Sequence, residues 1–390
     1  MKSKLLQYCL VGLFILVTLG FTVWSWVLVD TNFTLFNRGD WTQFRALVIS
    51  LGYFQRQYSA NLYVTFILLL TVFSYLVVKI YKGPMLPLIV IIGVIAGLLS
   101  YPALSHDLFN YIFDARIATH YHMNPYLYRA LDFPQDQMLR FMHWVHRTYP
   151  YGPTYLLITI IPSLLGLGYF LLTFVMFKSL HVLLFIISGL LLLKINRNIA
   201  LIFITSPLII VEGLVNSHND FVALAFAVIG IYLLRKHKTL PAFSALLFSG
   251  LIKFISLPAI LLSAQDWYER FVNRNRRIPK ILVLVQPWQI ALFGVGLLLA
   301  YLIMYQEIQP WYFLNFFIFL PYAPTLFKEF SIALTGLLLS YYPYVLGGEW
   351  GQGGSVPMKR SIITWSFLLN IAVLLVVNGY GVLAMHRKKT

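Results

Sequence analysis

Long apolar runs separated by short polar segments dominate the chain. Each run holds about twenty residues, enough for a helix to cross the ~30 Å hydrocarbon core of a bilayer. The pattern predicts helices near residues 5–29, 61–79, 85–104, 168–195, 198–215, 221–235, 281–304, 309–326, 329–346 and 361–385. Two further apolar stretches, 154–165 and 240–262, break the alternation, and we interpret them as a short dip and a re-entrant hairpin turning near Lys253. We expect an all-α polytopic membrane protein with about 10–12 transmembrane or re-entrant helices.

The composition agrees with a membrane protein and excludes several soluble classes. Of the 390 residues, 59% are hydrophobic and 11% are charged, whereas a soluble domain has about 25% charged residues. These values exclude a cytosolic enzyme, a DNA-binding factor and a secreted disulfide scaffold. The single Cys9 cannot form an internal disulfide. No soluble domain or linker is evident, so one membrane domain is expected to fill residues 1–390.

The distribution of Lys and Arg predicts an orientation. With both termini cytoplasmic, the inside receives 18 of the 29 cations and 3 of the 13 acids, which makes it +15 of a total of +16. This asymmetry follows the positive-inside rule, and nucleic acid is not needed to explain the basic charge. The inner cations are Lys2, Lys4, Lys79, Lys82, Lys194, Arg197, Arg235, Lys236, Lys238, Arg270, Arg274, Arg276, Arg277, Lys280, Lys328, Arg387, Lys388 and Lys389.

The outer loop 105–153 concentrates polar chemistry. It holds five of the nine histidines, four acids and four arginines. If residues 106–121 form a helix, Asp107, Asn110, Tyr111 and Asp114 share one face and the two carboxylates stand about 10 Å apart. We expect this interfacial helix to lie flat on the outer leaflet, with Leu108, Ile112 and Ala115 along another face. The polar face is equally compatible with a solvated surface and with a catalytic site.

Histidines in the same loop raise the question of a metal ion. The pairs His120/His122 and His143/His146 lack a strong ligand spacing, and no His-Glu-x-x-His pattern is present. A divalent metal cofactor is therefore left open, and the surrounding aromatic residues are equally typical of an interfacial belt.

Charged residues inside apolar stretches are the remaining candidates. Lys253 would cost ~2.5–3.5 kcal/mol to insert unpaired, so we expect a carboxylate or an anionic headgroup as its partner. Lys178 is similar, but a structural role against a neighbouring helix also fits. Asn219 or Asp220 could simply cap the next helix, and Glu212 lies about one turn away within the membrane.

Several short motifs together resemble a known family. Ser105-His106-Asp107, Tyr111, Asp114-Ala115-Arg116, Asn124-Pro125-Tyr126, Tyr151-Gly152-Pro153, His218-Asn219-Asp220, Lys253 and Pro310-Trp311-Tyr312 occur in this order. The order resembles that of GT-C glycosyltransferases, in particular prokaryotic polyprenol-phosphomannose-dependent mannosyltransferases. The match covers residues 100–320 as scattered motifs.

The resemblance implies an inverting hexosyltransferase with a polyprenyl-phosphate donor, mannose being the first expectation. The acceptor would be a glycan or glycolipid of the cell envelope, reached on the outer face of a prokaryotic plasma membrane. Asp107 matches the catalytic acid and Asp114 the second acid. Candidates for binding the donor phosphate are Lys253, Arg116 and Arg147. Candidates for binding substrate are His106, Asn110, Tyr111, Asn124, Tyr126, His143, His146, Tyr151, His218, Asn219 and Asp220.

Other classes of protein remain as alternatives. A transporter or flippase of a lipid-linked sugar would also need outer loops and intramembrane charges, although the chain shows no repeated halves. A membrane-bound acyltransferase would need a buried histidine, for which His181 is the one candidate. A scaffold would have no use for Lys253.

Overall fold

The structure, a computed structural model, describes residues 2–31, 33–35, 39–265, 268, 285–348 and 354–387. Within these ranges the chain is helical and contains no strand, as the apolar pattern predicts. The helical segments are Lys2–Trp24, Ser25–Leu28, Gly39–Ile49, Ser50–Phe54, Arg56–Ile80, Met85–Ile92, Gly93–Leu98, Asp107–Thr119, Ala130–Asp132, Gln137–Phe141, Pro153–Leu165, Phe170–Ile195, Arg197–Thr205, Ile209–Val215, Asn219–Arg235, Thr239–Ile252, Phe254–Ala264, Pro287–Tyr305, Pro310–Phe319, Pro324–Glu329, Ser331–Leu339, Tyr342–Gly347 and Ser355–Arg387.

Five of the described helices are long and apolar enough to cross a membrane. They cover Lys4–Leu28, Arg56–Ile80, Phe170–Ile195, Pro287–Tyr305 and Ser355–Val377. Two shorter helices, Arg197–Thr205 and Ile209–Val215, are long and apolar enough only when taken together and are bent by 65° at the break between them; we call this pair, which is a sixth crossing if it forms one span, the broken span. The polytopic all-α fold class is confirmed.

Other predicted helices are interrupted. The run 309–326 is not one helix, because Pro310–Phe319 ends before Pro324–Glu329 begins. The run 329–346 divides in the same way, into Ser331–Leu339 and Tyr342–Gly347. Proline explains the breaks, since Pro324 and Pro343 each stand in the first turn of a new helix, where the missing N–H costs nothing. The predicted inner cations at 270–280 lie outside the described residues.

The helix Asp107–Thr119, which we call the loop helix, forms where the sequence predicts it. The expected solvated face is wrong, because the protein covers both the polar and the apolar faces of the helix, and its flat position on the outer leaflet stays a prediction. Its buried residues include both polar and apolar positions, namely Leu108, Phe109, Asn110, Tyr111, Ile112, Phe113, Asp114, Ala115 and Ile117. Helical spacing shows which residues share a face, but not that later segments pack over that face.

The chain that follows the loop helix folds back over it. Asp136 accepts hydrogen bonds from Arg116 at 2.5 Å and from the hydroxyl of Tyr121 at 2.7 Å. The Tyr126 hydroxyl donates to the backbone oxygen of Tyr151 at 3.0 Å. The loop helix also packs against Pro153–Leu165 and Phe170–Ile195. These contacts turn the outer loop into a lid of protein over the polar side chains.

Lys178 binds the end of the broken span. Its side chain is 1% exposed, and its ammonium donates to the backbone oxygens of Leu214 at 2.7 Å and Val215 at 2.8 Å. It also contacts the hydroxyls of Ser100 at 3.0 Å and Ser217 at 3.3 Å. A helix carries partial negative charge at its C-terminal end, which favours a cation there. The structural interpretation of Lys178 therefore accounts for its burial.

The turn after the broken span is fixed by two further features. Ser217 has a φ of 58°, in the left-handed region that non-glycine residues rarely adopt. The side chain of Asn216 accepts from the backbone N–H of Leu104 at 3.2 Å and donates to Glu212 at 3.0 Å. Residues 216–220 are thereby held directly beside the start of the loop helix.

We expect Lys178→Met to destabilise the protein by about 3 kcal/mol, because it leaves several buried oxygens without a donor. The measurement is thermal unfolding of the purified protein in detergent. Lys194→Met, at the exposed end of the same helix, is the control and should unfold close to the wild type. Equal unfolding temperatures for the two variants would contradict the role of Lys178.

Candidate active site

A histidine between two carboxylates forms the centre of the candidate site. Nδ1 of His218 lies 3.6 Å from Oδ2 of Asp107, and Nε2 lies 3.3 Å from Oε2 of Glu212. The side chains of His218 and Glu212 are fully buried, whereas that of Asp107 is 16% exposed. We call these three residues the carboxylate–histidine row. Asp107 is its outer end and the only member that a substrate can reach.

A buried ion pair stands next to this row. Nζ of Lys253 lies 2.8 Å from Oδ2 of Asp220 and 3.5 Å from Oδ1 of Asn219. The amide of Asn315 donates to the second oxygen of Asp220 at 2.9 Å. Lys253 separates the helices Thr239–Ile252 and Phe254–Ala264 with an extended backbone, so the predicted break at this residue is confirmed. Its expected carboxylate partner is Asp220.

The capping role considered for residues 219 and 220 is wrong. His218 occupies the N-cap position of Asn219–Arg235, and its side chain makes no capping hydrogen bond. Asp220 lies in the first turn of this helix and is used for the ion pair with Lys253.

Aromatic rings surround these charges. The indole of Trp311 stacks on His218 with ring centroids 4.1 Å apart, and Lys253 lies 5.5 Å from the centre of the Tyr312 ring. On the opposite side, the hydroxyl of Tyr111 is 3.4 Å from both Asp107 and Asn219. Tyr151 meets Tyr111 edge-on at 5.1 Å. Rings of this kind exclude water and offer flat surfaces for an apolar or sugar ligand.

Asp114, the second predicted acid, is a buried residue of the loop helix. Burial raises the pKa of its carboxyl from 3.8 to about 7, an effect that the charge of Arg147 reduces and that of Asp107 increases. Arg147 is therefore close enough to interact with Asp114, and its guanidinium also packs 5.0 Å from the Trp144 ring. Asn110 lies on the same helix with neither atom of its buried amide hydrogen bonded within the protein.

His106 and His143 stack on each other. Their ring centroids are 3.7 Å apart and the ring planes differ by 15°. This is a packing contact between the two rings and not an arrangement in which both bind one ligand. Burial, together with the charge of His143, lowers the pKa of His106 to about 3. Among the described residues, no group of three His, Cys, Asp or Glu side chains is arranged to hold a metal ion.

Some predicted residues lie apart from the row. Arg116 is engaged by Asp136, and it is nine residues beyond Asp107, about 13 Å along the helix. The side chain of Asn124 accepts from the backbone N–H of Tyr126 in an exposed turn, and Tyr126 contacts Tyr151 through its hydroxyl. His146 is exposed beside Trp144. These residues shape the lid.

The structure adds side chains to which sequence analysis gave no role. Glu212 was noted only for its depth, and Trp311 and Tyr312 only as part of a motif, while Asn315 gave no signal. Glu212 and Lys253 could have been paired as intramembrane charges of opposite sign, but the actual partner of Lys253 is Asp220. Their positions depend on chain folding over distances of up to 95 residues.

The arrangement provides a reachable carboxylate, a cation and a water-poor aromatic wall. A carboxylate in such a place can remove a proton from a hydroxyl group. An ammonium near the reacting carbon can stabilise the anion that develops on the leaving group. These are the groups required for substitution at a carbon that carries an acidic leaving group.

Comparison with known proteins identifies one family. A family model described as Alpha-(1->6)-mannopyranosyltransferase, N-terminal domain, matches residues 15–269. No curated protein and no solved structure matches the chain. The matched range contains the whole carboxylate–histidine row and Lys253, while Trp311, Tyr312 and Asn315 lie beyond it.

Replacing Asp114 by Asn should change how stability depends on pH. The pKa of the folded carboxyl, about 7, lies above the unfolded value of 3.8, so the wild type loses stability as the pH rises between these values. The stability gained by Asp114→Asn should be about 2.5 kcal/mol larger at pH 8 than at pH 5. Thermal unfolding at both pH values measures the difference. Asp132→Asn, at an exposed acid of the same loop, is the control and should gain no stability at alkaline pH. An effect of Asp114→Asn on stability that does not depend on pH would refute the raised pKa of Asp114.

Proposed function

This chain belongs to the alpha-(1->6)-mannopyranosyltransferase family, and from that premise we propose that it transfers mannose from a polyprenyl-phosphate donor to a glycan or glycolipid acceptor. Family membership makes mannosyl transfer the activity. The proposal adds the lipid donor, a lipid-linked or cell-envelope acceptor, a GT-C mechanism and inversion at the anomeric carbon. Inversion of a β-linked donor gives the alpha product that the family description names.

Asp107 is the proposed general base. The observation that carries this assignment is its exposure: within the carboxylate–histidine row it alone is reachable, at 16% exposed, while Glu212 is fully buried. The acceptor hydroxyl loses its proton to Asp107 while its oxygen attacks the anomeric carbon. The bond from that carbon to the phosphate oxygen breaks, and its electron pair leaves with the polyprenyl phosphate.

Lys253 is the proposed partner of the leaving phosphate. An ammonium has three N–H donors, of which one is directed at Asp220 and a weaker one at Asn219. Within the part of the chain that the structure describes, the third has no oxygen partner and is available to a phosphate oxygen, and the side chain is 19% exposed. The place of Lys253 between two apolar helices supports a donor whose lipid tail remains in the bilayer. Arg147, which interacts with Asp114, is the proposed second cation.

We propose that the site faces the outside of a prokaryotic plasma membrane, with both termini cytoplasmic. The asymmetry of Lys and Arg supports this orientation. We also propose that the chain works as a single membrane domain. Contacts of Trp311 with His218 and of Asn315 with Asp220 support that view, because they join the matched range to the segment that follows it.

Asp107→Asn should abolish transfer, with a loss of about 10³-fold, because the amide cannot accept the proton. The assay presents the purified protein in lipid with a panel of labelled polyprenyl-phosphate sugars and an oligomannoside acceptor, and follows sugar transfer and release. Asp132→Asn is the matched control and should transfer at the wild-type rate. Wild-type activity in Asp107→Asn would remove Asp107 as the base, and absence of activity from every donor in the wild type would refute the lipid-donor proposal.

Variants of Lys253 should separate folding from chemistry. Lys253→Met leaves Asp220 as an unpaired buried charge, which should destabilise the protein by about 3–5 kcal/mol. The double variant Lys253→Met/Asp220→Asn removes both charges and should recover most of the lost stability. Transfer should remain at least tenfold below wild type in both, because the phosphate has lost its cation. Full transfer by the stable double variant would show that Lys253 acts only in the ion pair.

One observation favours the flippase alternative. The broken span resembles the discontinuous helices that transporters use at their binding sites. A fluorescent lipid-linked sugar in vesicles distinguishes the two functions. Transbilayer movement without sugar transfer would favour the flippase.

A further inference from the structure

Glu212 is a buried carboxylate that the proposed transfer does not yet use. Its side chain is fully buried in the second half of the broken span. One of its oxygens, Oε2, faces Nε2 of His218 at 3.3 Å and accepts from the Asn216 amide at 3.0 Å. A carboxylate at this depth is costly and calls for a functional explanation.

The imidazole of His218 lies between Glu212 and the proposed base, Asp107. The two ring nitrogens face different carboxylates, Asp107 on one side and Glu212 on the other. The Trp311 indole stacks on the ring, and the backbone N–H of His218 donates to the backbone oxygen of Glu212 at 3.0 Å. The imidazole thus lies between the two acids with one nitrogen facing each of them, and neither nitrogen makes a hydrogen bond to a described residue in this conformation.

We propose that His218 and Glu212 form a proton relay behind Asp107, in which Glu212 receives the proton that the base removes from the acceptor. The inference rests on the proposed function and adds two positioning residues to it. Neither residue touches the reacting atoms, since both act through Asp107.

The proton balance of the relay is complete. The relay requires a neutral ring that carries its proton on Nε2. Protonated Asp107 gives its proton to Nδ1 while the Nε2 proton passes to Glu212, so that Asp107 is ionised again and Glu212 is neutral. When the products leave, the proton returns by the reverse transfers and exits from Asp107 to water. A neutral imidazole with one donor and one acceptor nitrogen is the species that such a relay needs.

Neighbouring charged groups have other partners. Lys253 and Asp220 are paired with each other, and Lys178 donates to backbone oxygens and hydroxyls. The Tyr111 hydroxyl faces Asp107 and Asn219 at 3.4 Å. Lys359 is bound to Glu307 at 2.8 Å. The row Asp107–His218–Glu212 therefore runs between groups that are already engaged.

Glu212→Gln is the decisive variant. The amide oxygen of glutamine can still accept from Asn216, so the fold is retained, but the side chain cannot accept a proton from His218. We expect kcat to fall about 10²-fold, the lower end of the range for acid–base catalysis, with KM for donor and acceptor unchanged. A proton inventory in mixtures of H₂O and D₂O should be curved for the wild type and linear for Glu212→Gln. Glu329→Gln, at an exposed acid, is the matched control and should behave as the wild type.

A second variant keeps the test decisive if Glu212→Gln folds poorly. His218→Ala opens a space behind Asp107. Added imidazole should raise kcat at least tenfold in this variant but should not raise it in Glu212→Gln. Wild-type kcat and a curved inventory in Glu212→Gln, with Asp107→Asn inactive, would overturn the relay and leave the proposed function intact. Failure of the wild type to transfer from any lipid donor would overturn both.

Discussion

The ammonium of Lys178, bound at the C-terminal end of the broken span, is the contact on which the candidate site depends. Its oxygen partners, two backbone carbonyls and two hydroxyls, replace the water that a buried cation loses. Because they belong to residues 100, 214, 215 and 217, one side chain joins three separate segments. The turn that carries His218, Asn219 and Asp220 begins directly after this point. The buried charge of Lys178 thereby fixes the position of the turn that carries these polar residues.

The buried charged groups of the site each have a polar or oppositely charged neighbour, and one N–H of Lys253 is left for a ligand. Asp220 is shared between Lys253 and Asn315, and Glu212 is shared between Asn216 and His218. Of these four charged groups, Asp107, Lys253, Asp220 and Glu212, only Asp107 and Lys253 are partly exposed, and both are proposed to meet substrate. Because Asp107, Glu212 and Asp220 are acids, a phosphate is favoured beside the remaining N–H of Lys253, with Arg147 as the second proposed cation. The loop helix and its lid limit access by water, which strengthens the remaining electrostatic contacts.

The fold class, the loop helix and the break at Lys253 were predictable because each depends on local pattern. Runs of apolar residues predict helices, and a lysine within such a run marks a position that needs a partner. Local pattern could not reveal that the loop helix is buried, since its cover is supplied by residues 120–152 and by two later helices. It also could not give the second partner of Asp220, because Asn315 is 95 residues away and asparagine in an apolar run has many structural uses. Asp107 was singled out by the shared helix face and Lys253 by its place in an apolar run, motif order supported both assignments, and their function stays a prediction.

The contribution of the segment after residue 285 to the site constrains how the protein is made. Membrane helices are delivered to the bilayer in order of synthesis, so Asp220 enters 95 residues before the amide of Asn315 that binds it. Lys178 likewise precedes its carbonyl partners by 36 and 37 residues. Lys253, the ionic partner of Asp220, follows it after 33 residues, so the nascent chain holds unpaired charges in the membrane only for these shorter intervals. The polar groups of the site therefore reach their final contacts only after the last third of the chain has been added.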